Sequence, residues 1–306
     1  MIKKYAFKKI ILATLVLIIL LLIYFFPNKE IEYQESLTYI EKNDMPIFLL
    51  DANNYVSRTT IFKTKENHLD LIPEIIEALT INGPKSSYIP TNFKAIIPQN
   101  TKLLNYDLNE GLLKLNFSKE FLNIDQKNEE KLIESLIYSL TEIKEIKKIM
   151  IFIEGIQLTK LPNSQKKLPQ TLDKNYGINK IYNLDSLKET NKTTIYYLSK
   201  YDNFYYYVPV THVTNAETER VEVIIENLKS TPIYHTNLIS YLTASANLLN
   251  YELLENSINL SFDNLLIANL KENNILEEVK YSIALSLRDT YGITDIFLNN
   301  EQLFII

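Results

Sequence analysis

The chain has 306 residues, 46% of them hydrophobic and 23% charged, with a formal net charge of −5; that suits two folded domains and argues against a largely disordered chain. It contains no cysteine, which excludes disulfides, cysteine-based zinc sites, thiol nucleophiles and a diacylglyceryl-cysteine anchor. Lys3, Lys4, Lys8 and Lys9 precede the first acid, so the remainder is more acidic than the total and is repelled by the phosphates of nucleic acid.

Residues 1–9 read as a basic tail and residues 10–26 as a single transmembrane helix. At about 1.5 Å per residue this run spans roughly 26 Å, a little less than a hydrocarbon core of about 30 Å. Lys8 and Lys9 suit one membrane surface, Tyr24, Phe25 and Phe26 the other, and Pro27 stops the helix. Lysines before the apolar run keep the N-terminus in the cytoplasm and send the body outside. The expected location is therefore the cytoplasmic membrane, single-pass. A cleaved signal peptide would need a small-residue site, and Phe25-Phe26-Pro27-Asn28 offers none. Residues 27–45 form a polar spacer.

The first domain is expected over 46–158. Residues 47–50 and 55–62 predict a hairpin, and residues 69–81 a helix with Leu69, Ile72, Ile75, Ile76 and Leu79 on one face. A second hairpin is predicted at 103–108 and 112–117, where Leu113, Leu115 and Phe117 alternate with polar residues. Residues 128–141 predict a second helix and 149–153 a closing strand. A connection at 159–192 follows, too long for a plain loop. The second domain, 193–306, repeats the order: strands near 194–199 and 204–213, a helix at 216–229, strands at 248–253 and 257–262, a helix near 272–288 and a strand at 293–298.

The repeat is visible in the letters. Leu103-Leu104-Asn105-Tyr106 recurs as Leu248-Leu249-Asn250-Tyr251, a shift of 145, while Ile75, Ile76 and Leu79 recur as Ile224, Ile225 and Leu228 at a shift of 149. Two co-linear copies mean duplicated domains rather than a solenoid. The expected fold class is α+β: two tandem domains, each with two helices packed on a small mixed or antiparallel sheet, preceded by one transmembrane helix.

No catalytic, cofactor or metal site is expected. His68, His212 and His235 share no ligand spacing. Ser118-Lys119-Glu120 reads as a polar turn, and Glu129-Glu130 and Glu277-Glu278 as helix-start acids. The unusual surface signal is Phe204-Tyr205-Tyr206-Tyr207, which puts aromatic rings on both faces of one strand. Either the strand is covered on both sides within its domain, or one face meets a partner.

Residues 97–104, then Glu110-Gly111, then Asn116-Phe117-Ser118-Lys119-Glu120-Phe121 resemble the central motif of the GerMN domain of sporulation and spore germination proteins. Residues 136–142 and 149–155 are similar to that domain's second helix and last strand, and Gly177-Ile178-Asn179 to the connection in tandem members. The second copy is more degenerate, with Asn256 for Gly111, Asn300 for Gly155 and Asp263 for Ser118. The resemblance implies a non-catalytic module of the Gram-positive envelope, similar to ring-building motifs of secretion assemblies. Typical tandem members are lipoproteins, whereas here a helix is expected to replace the lipid. The function expected is a non-enzymatic, membrane-anchored scaffold outside the cytoplasm that serves sporulation or germination. Its partners would be envelope proteins or further copies of itself. A module binding cell-wall glycan or a sensor protein is the alternative.

Overall fold

The computed structural model describes residues 14–17 and 44–303, apart from 66, 187, 203, 216, 231–236 and 264–274. The expected membrane helix at 10–26 lies outside the described residues except for 14–17, which are helical. Among the described residues, no helix is long and apolar enough to cross a membrane. Residues 43–306 form one compact unit.

The first half opens with β1 (Asp44–Asp51) and β2 (Val56–Phe62), an antiparallel hairpin, followed by α1 (Leu71–Leu79) and the short β3 (Phe93–Lys94). It continues with β4 (Leu103–Asn109), β5 (Leu112–Phe117), α2 (Glu129–Leu140), β6 (Lys148–Ile153) and β7 (Ile156–Gln157). The connection holds β8 (Ile181–Asn183). The second half has β9 (Asn191–Tyr201), β10 (Phe204–Thr214), α3 (Arg220–Lys229), β11 (Leu248–Leu253), β12 (Ser257–Phe262), α4 (Glu277–Tyr291), β13 (Asp295–Leu298) and β14 (Glu301–Leu303). Five single-turn 3-10 segments accompany these helices among the described residues; the sequence predicts none, because three or four residues carry no periodicity.

The expectation of one small sheet per domain is corrected. Each half does own a four-stranded sheet, β4-β5-β6-β7 and β11-β12-β13-β14, with a parallel pair at its centre. The two opening hairpins, however, fuse into a single six-stranded sheet. Tyr207 of β10 pairs antiparallel with Arg58 of β2. Further along the same edge of β10, His212, Val213 and Thr214 pair in parallel with β8. The halves are therefore one body rather than two beads.

The change of partner along β10 falls at Pro209, which has no N–H to donate. Asn179 of the connection fills the gap. Its Nδ2 donates to the carbonyls of Val56 and Pro209, both at 2.8 Å, and its Oδ1 accepts from the Val56 N–H at 3.0 Å. Asn179 sits at φ 45°, a left-handed conformation that asparagine tolerates. Beside it, the Ile178 N–H donates to Thr211 Oγ1 and the Thr211 N–H donates to the Ile178 carbonyl. The connection, with Leu161, Leu168, Leu172 and Ile178 buried, is packed rather than loose.

The outer edges of the fused sheet are closed by serines. Ser135 Oγ of α2 donates to the Phe48 carbonyl, and Ser139 Oγ accepts from the Phe48 N–H. On the opposite edge, Ser286 Oγ of α4 accepts from the Tyr196 N–H at 2.8 Å. Capping an edge strand this way satisfies these three backbone groups and blunts the edge as a template for pairing with another chain.

The degenerate copy keeps its geometry by other means. Ser118 Oγ accepts from the Lys102 N–H at the mouth of β4; in the second half Asp263 accepts from the Asn247 N–H, 3.2 Å away. Asn300 stands where Gly155 does, and both are left-handed, at φ 67° and 84°. Gly111 turns the β4–β5 hairpin at φ 80°, where a Cβ would lie 3.0 Å from Lys147 Cγ.

Replacing Asn179 by alanine strands the buried Val56 N–H and carbonyl and strains a left-handed position. Urea denaturation should register a loss of about 2–4 kcal/mol, with the far-ultraviolet spectrum of the native state retained.

Candidate functional site

Two kinds of site emerge: a buried polar junction between the halves, and surface features that the duplication presents twice.

The junction gathers Glu142 from the end of α2, Arg288 and Asp289 from α4, and Lys174 from the connection. The Arg288 guanidinium donates to both Glu142 oxygens, at 3.1 and 2.7 Å, and through Nε to Asp289 at 3.0 Å. Lys174 Nζ lies 3.1 Å from Glu142 and 2.6 Å from Asp289. Tyr196 donates its hydroxyl to the second Asp289 oxygen. The Glu142 and Asp289 side chains are only 6% and 1% exposed, so two acids and two bases balance in a setting where an unpaired charge would be expensive.

Burial alone would raise both carboxyls. Arg288 and Lys174 outweigh it at Glu142, which is held below the usual carboxylate range. Lys174 and Arg288 hold Asp289 at about 2, against an ordinary 3.8. The nearby Tyr138 and Tyr196 hydroxyls are pushed well above their ordinary value, chiefly by burial. Every carboxylate of this cluster is committed to a cation, so its chemistry is structural.

The aromatic strand divides its four rings. Tyr206 is 6% exposed, donates its hydroxyl to Asp51 across the fused sheet at 3.1 Å, and sets its ring edge-on to Phe93. Asp51 also accepts from Ser57 and from the N–H groups of Asn53 and Tyr55, and burial raises its carboxyl despite them. Tyr207 is half-buried against Tyr281. Phe204 and Tyr205 remain 74% and 42% exposed, with Tyr205 edge-on to Tyr241. The Tyr206 ring thus ties the halves together, the Tyr207 ring packs within its own half, and two rings are displayed.

The second surface feature is a matched pair of grooves. Pro73, Ile76 and Glu77 of α1 face Leu103, Leu104 and Tyr106 of β4 across a groove of about 370 Å³. In the second half, Ile225 and Glu226 of α3 face Leu248, Leu249 and Tyr251 of β11 across one of about 420 Å³. The lining residues Ile76-Glu77 and Leu103-Leu104-Asn105-Tyr106 recur identically as Ile225-Glu226 and Leu248-Leu249-Asn250-Tyr251. A β-bulge falls at the same place in each, between Leu103 and Asn105 and between Leu248 and Asn250. It turns Leu104 and Leu249 out to 50% and 67% exposure. Both strands are outer strands of their sheets.

Of the residues weighed for chemistry, His212 approaches the Tyr197 hydroxyl through Nε2 at 3.1 Å, and His235 lies outside the described residues. Ser118 is spent on Lys102, and Glu129 accepts from the Asn163 and Ser164 N–H groups. Among the described residues there is no group of His, Cys, Asp and Glu able to hold a metal ion. The sequence reading missed Glu142, Arg288, Asp289 and the capping serines. One signal could have found them: Ser135, Ser139 and Glu142 recur as Ser282, Ser286 and Asp289 at a constant shift of 147.

A duplicated α+β module, fused through its opening hairpins and displaying the same groove twice, defines the class. Residues 46–159 match the model of the family described as Germane, sporulation and spore germination. The spore germination protein GerM of Bacillus subtilis (strain 168) is 28% identical over 249 residues, covering 79% of this chain and 67% of its own. The solved structure of the tandem GerMN domains of that organism's sporulation protein GerM superposes with a TM-score of 0.76 at 26% identity, covering 86% of this chain and 93% of its own. Together these matches support a tandem GerMN protein, with the family's own domain at residues 46–159.

Arg288→Met removes one cation from the buried junction and leaves two carboxylates to Lys174, which should cost about 3–5 kcal/mol by denaturant titration. The acid response has a definite sign. Because Asp289 and Glu142 titrate below their ordinary values, the stability they confer is complete above the ordinary carboxylate range and is lost as pH falls toward about 2. Asp289→Asn should make that acid loss shallower when melting is followed against pH.

Proposed function

We propose that this protein is a scaffold of the sporulating or germinating cell, working through protein contacts rather than catalysis, and that the partner at its twin grooves is a second copy of the same chain. One observation carries the reading. The four-residue word repeated in both halves lies on an exposed outer strand with its leucine turned outward, although a solvated position gives no reason to keep leucine. The module also associates with its own copy once already, where β2 meets β10 inside the chain. A β4 groove placed against a β11 groove of the next molecule joins related surfaces head to tail, an arrangement that leaves a free groove at each end and so propagates. Likeness to GerM supports the setting in sporulation or germination. The basic and apolar residues 3–26 support a single helix in the cytoplasmic membrane with the body outside it. Phe204 and Tyr205 extend the displayed apolar surface.

The absence of native cysteine makes the test clean. Chains carrying Leu104→Cys and chains carrying Leu249→Cys, produced together in sporulating cells, should crosslink into dimers. A chain carrying both substitutions should give a ladder. Crosslinking no greater than that of Lys167→Cys, an exposed position on the connection, would refute self-association through these grooves.

A further inference from the structure

A separate groove of about 480 Å³ opens between the β1–β2 turn, the start of α2 and the connection, within the range of about 300–1,000 Å³ typical of small-ligand sites. Its polar groups fall into two sets. The first is spent internally. Glu134 accepts from the Asn179 N–H and from Lys180, Glu130 accepts from Lys166 and pairs with Lys180, and the Asn179 amide is committed to Val56 and Pro209. This set makes the walls rigid.

The second set faces the groove with nothing to bind. The side chains of Asn54, Gln126, Lys127, Lys131 and Tyr182 make no hydrogen bond or ion pair among the described residues. Tyr182 shows an unshielded ring, 58% exposed. Lys131 is half-buried, and that burial depresses its ammonium, with Glu134 and Asp51 acting the other way. Exposed lysines are ordinary; a half-buried lysine without an ion-pair partner, at the wall of a groove, calls for an anion.

The remaining groups narrow the ligand. Asn54 and Gln126 each offer a donor and an acceptor, the pairing that a sugar's adjacent hydroxyl and amide groups demand. A tyrosine ring beside them can cover the apolar face of a sugar while its hydroxyl stays wet. The anion should carry a single charge, because Glu130 and Glu134 in the same wall repel a dianion such as phosphate. We propose that this groove binds a glycan bearing a carboxylate, with the carboxylate on Lys131, a sugar ring on Tyr182, and Asn54 and Gln126 on its hydroxyl or acetamido groups.

Calorimetric titration of the full-length protein in detergent separates the possibilities. The probes are a disaccharide of N-acetylglucosamine and N-acetylmuramic acid, the uncharged diacetylchitobiose, and inorganic phosphate. The acidic disaccharide should bind at least about tenfold more tightly than the neutral one, as a charge-assisted hydrogen bond allows. Lys131→Ala should abolish that preference, and Tyr182→Ala should weaken both sugars. Neither substitution should unfold the protein, since neither side chain makes a hydrogen bond or ion pair among the described residues and Lys131 feels Glu134 and Asp51 only at a distance. Absence of binding by both sugars overturns the proposal. So does a preference that survives Lys131→Ala, or phosphate binding as tightly as the acidic sugar. Lys131 and Tyr182 line neither of the twin grooves, so this test and the crosslinking test fail independently.

Discussion

The fold depends on how one strand edge is shared. β10 offers a single edge to two partners, β2 from the first half and β8 from the connection, and at Pro209 between them there is a carbonyl and no N–H. A main-chain strand cannot serve that position, but a side-chain amide can. Asn179 supplies it and ties Val56 to Pro209, so the connection is an integral part of the sheet. Once the hairpins are joined there, α2 and α4 are brought close enough for Glu142 to meet Arg288, with Lys174 between their acids. The buried ionic cluster is therefore a consequence of the shared sheet. Its charge balance is what allows it to stay there.

The same geometry decides what remains for function. The opening hairpins and the inner helix ends are consumed in holding the halves together, and with them the Tyr206 side chain and the Tyr207 main chain. What each half leaves exposed lies at the outer sides: an outer strand with a bulged leucine, set across a groove from a helix. Duplication ordinarily frees one copy to drift, and the second copy has drifted at Gly111, Gly155 and Ser118. The isoleucines of the helix words are core residues that folding alone retains, but Leu104 and Leu249 are exposed and yet unchanged between the copies, while Asp263 and Asn300 show that the turns tolerate substitution.

Much of the local structure was legible. The alternation of Leu113, Leu115 and Phe117 marks β5, whose inward residues are fully buried. The apolar face of Ile72, Ile75, Ile76 and Leu79 marks α1, and the 145-residue shift marks the duplication. The short strands β3, β7, β8 and β14 were not legible, since two or three residues are too few to display a period and owe their extension to a neighbour. The union of the hairpins was hidden because it rests on a single residue pair and on a side chain from the connection. Glu142, Arg288 and Asp289 look like ordinary helix-end charges until the helices are placed. The groove of Lys131 and Tyr182 was equally hidden: Asn54, Lys131 and Tyr182 are 128 residues apart at the extremes, and only the closed sheet assembles them.

If the halves are one body, they must melt as one. Differential scanning calorimetry of the full-length protein tests this directly. A single transition, with the calorimetric enthalpy equal to the van't Hoff enthalpy, is the result expected of a shared sheet closed by Asn179 and a buried ionic junction. Two resolved transitions, or a calorimetric enthalpy about twice the van't Hoff value, would mean that the halves unfold independently and would contradict the account.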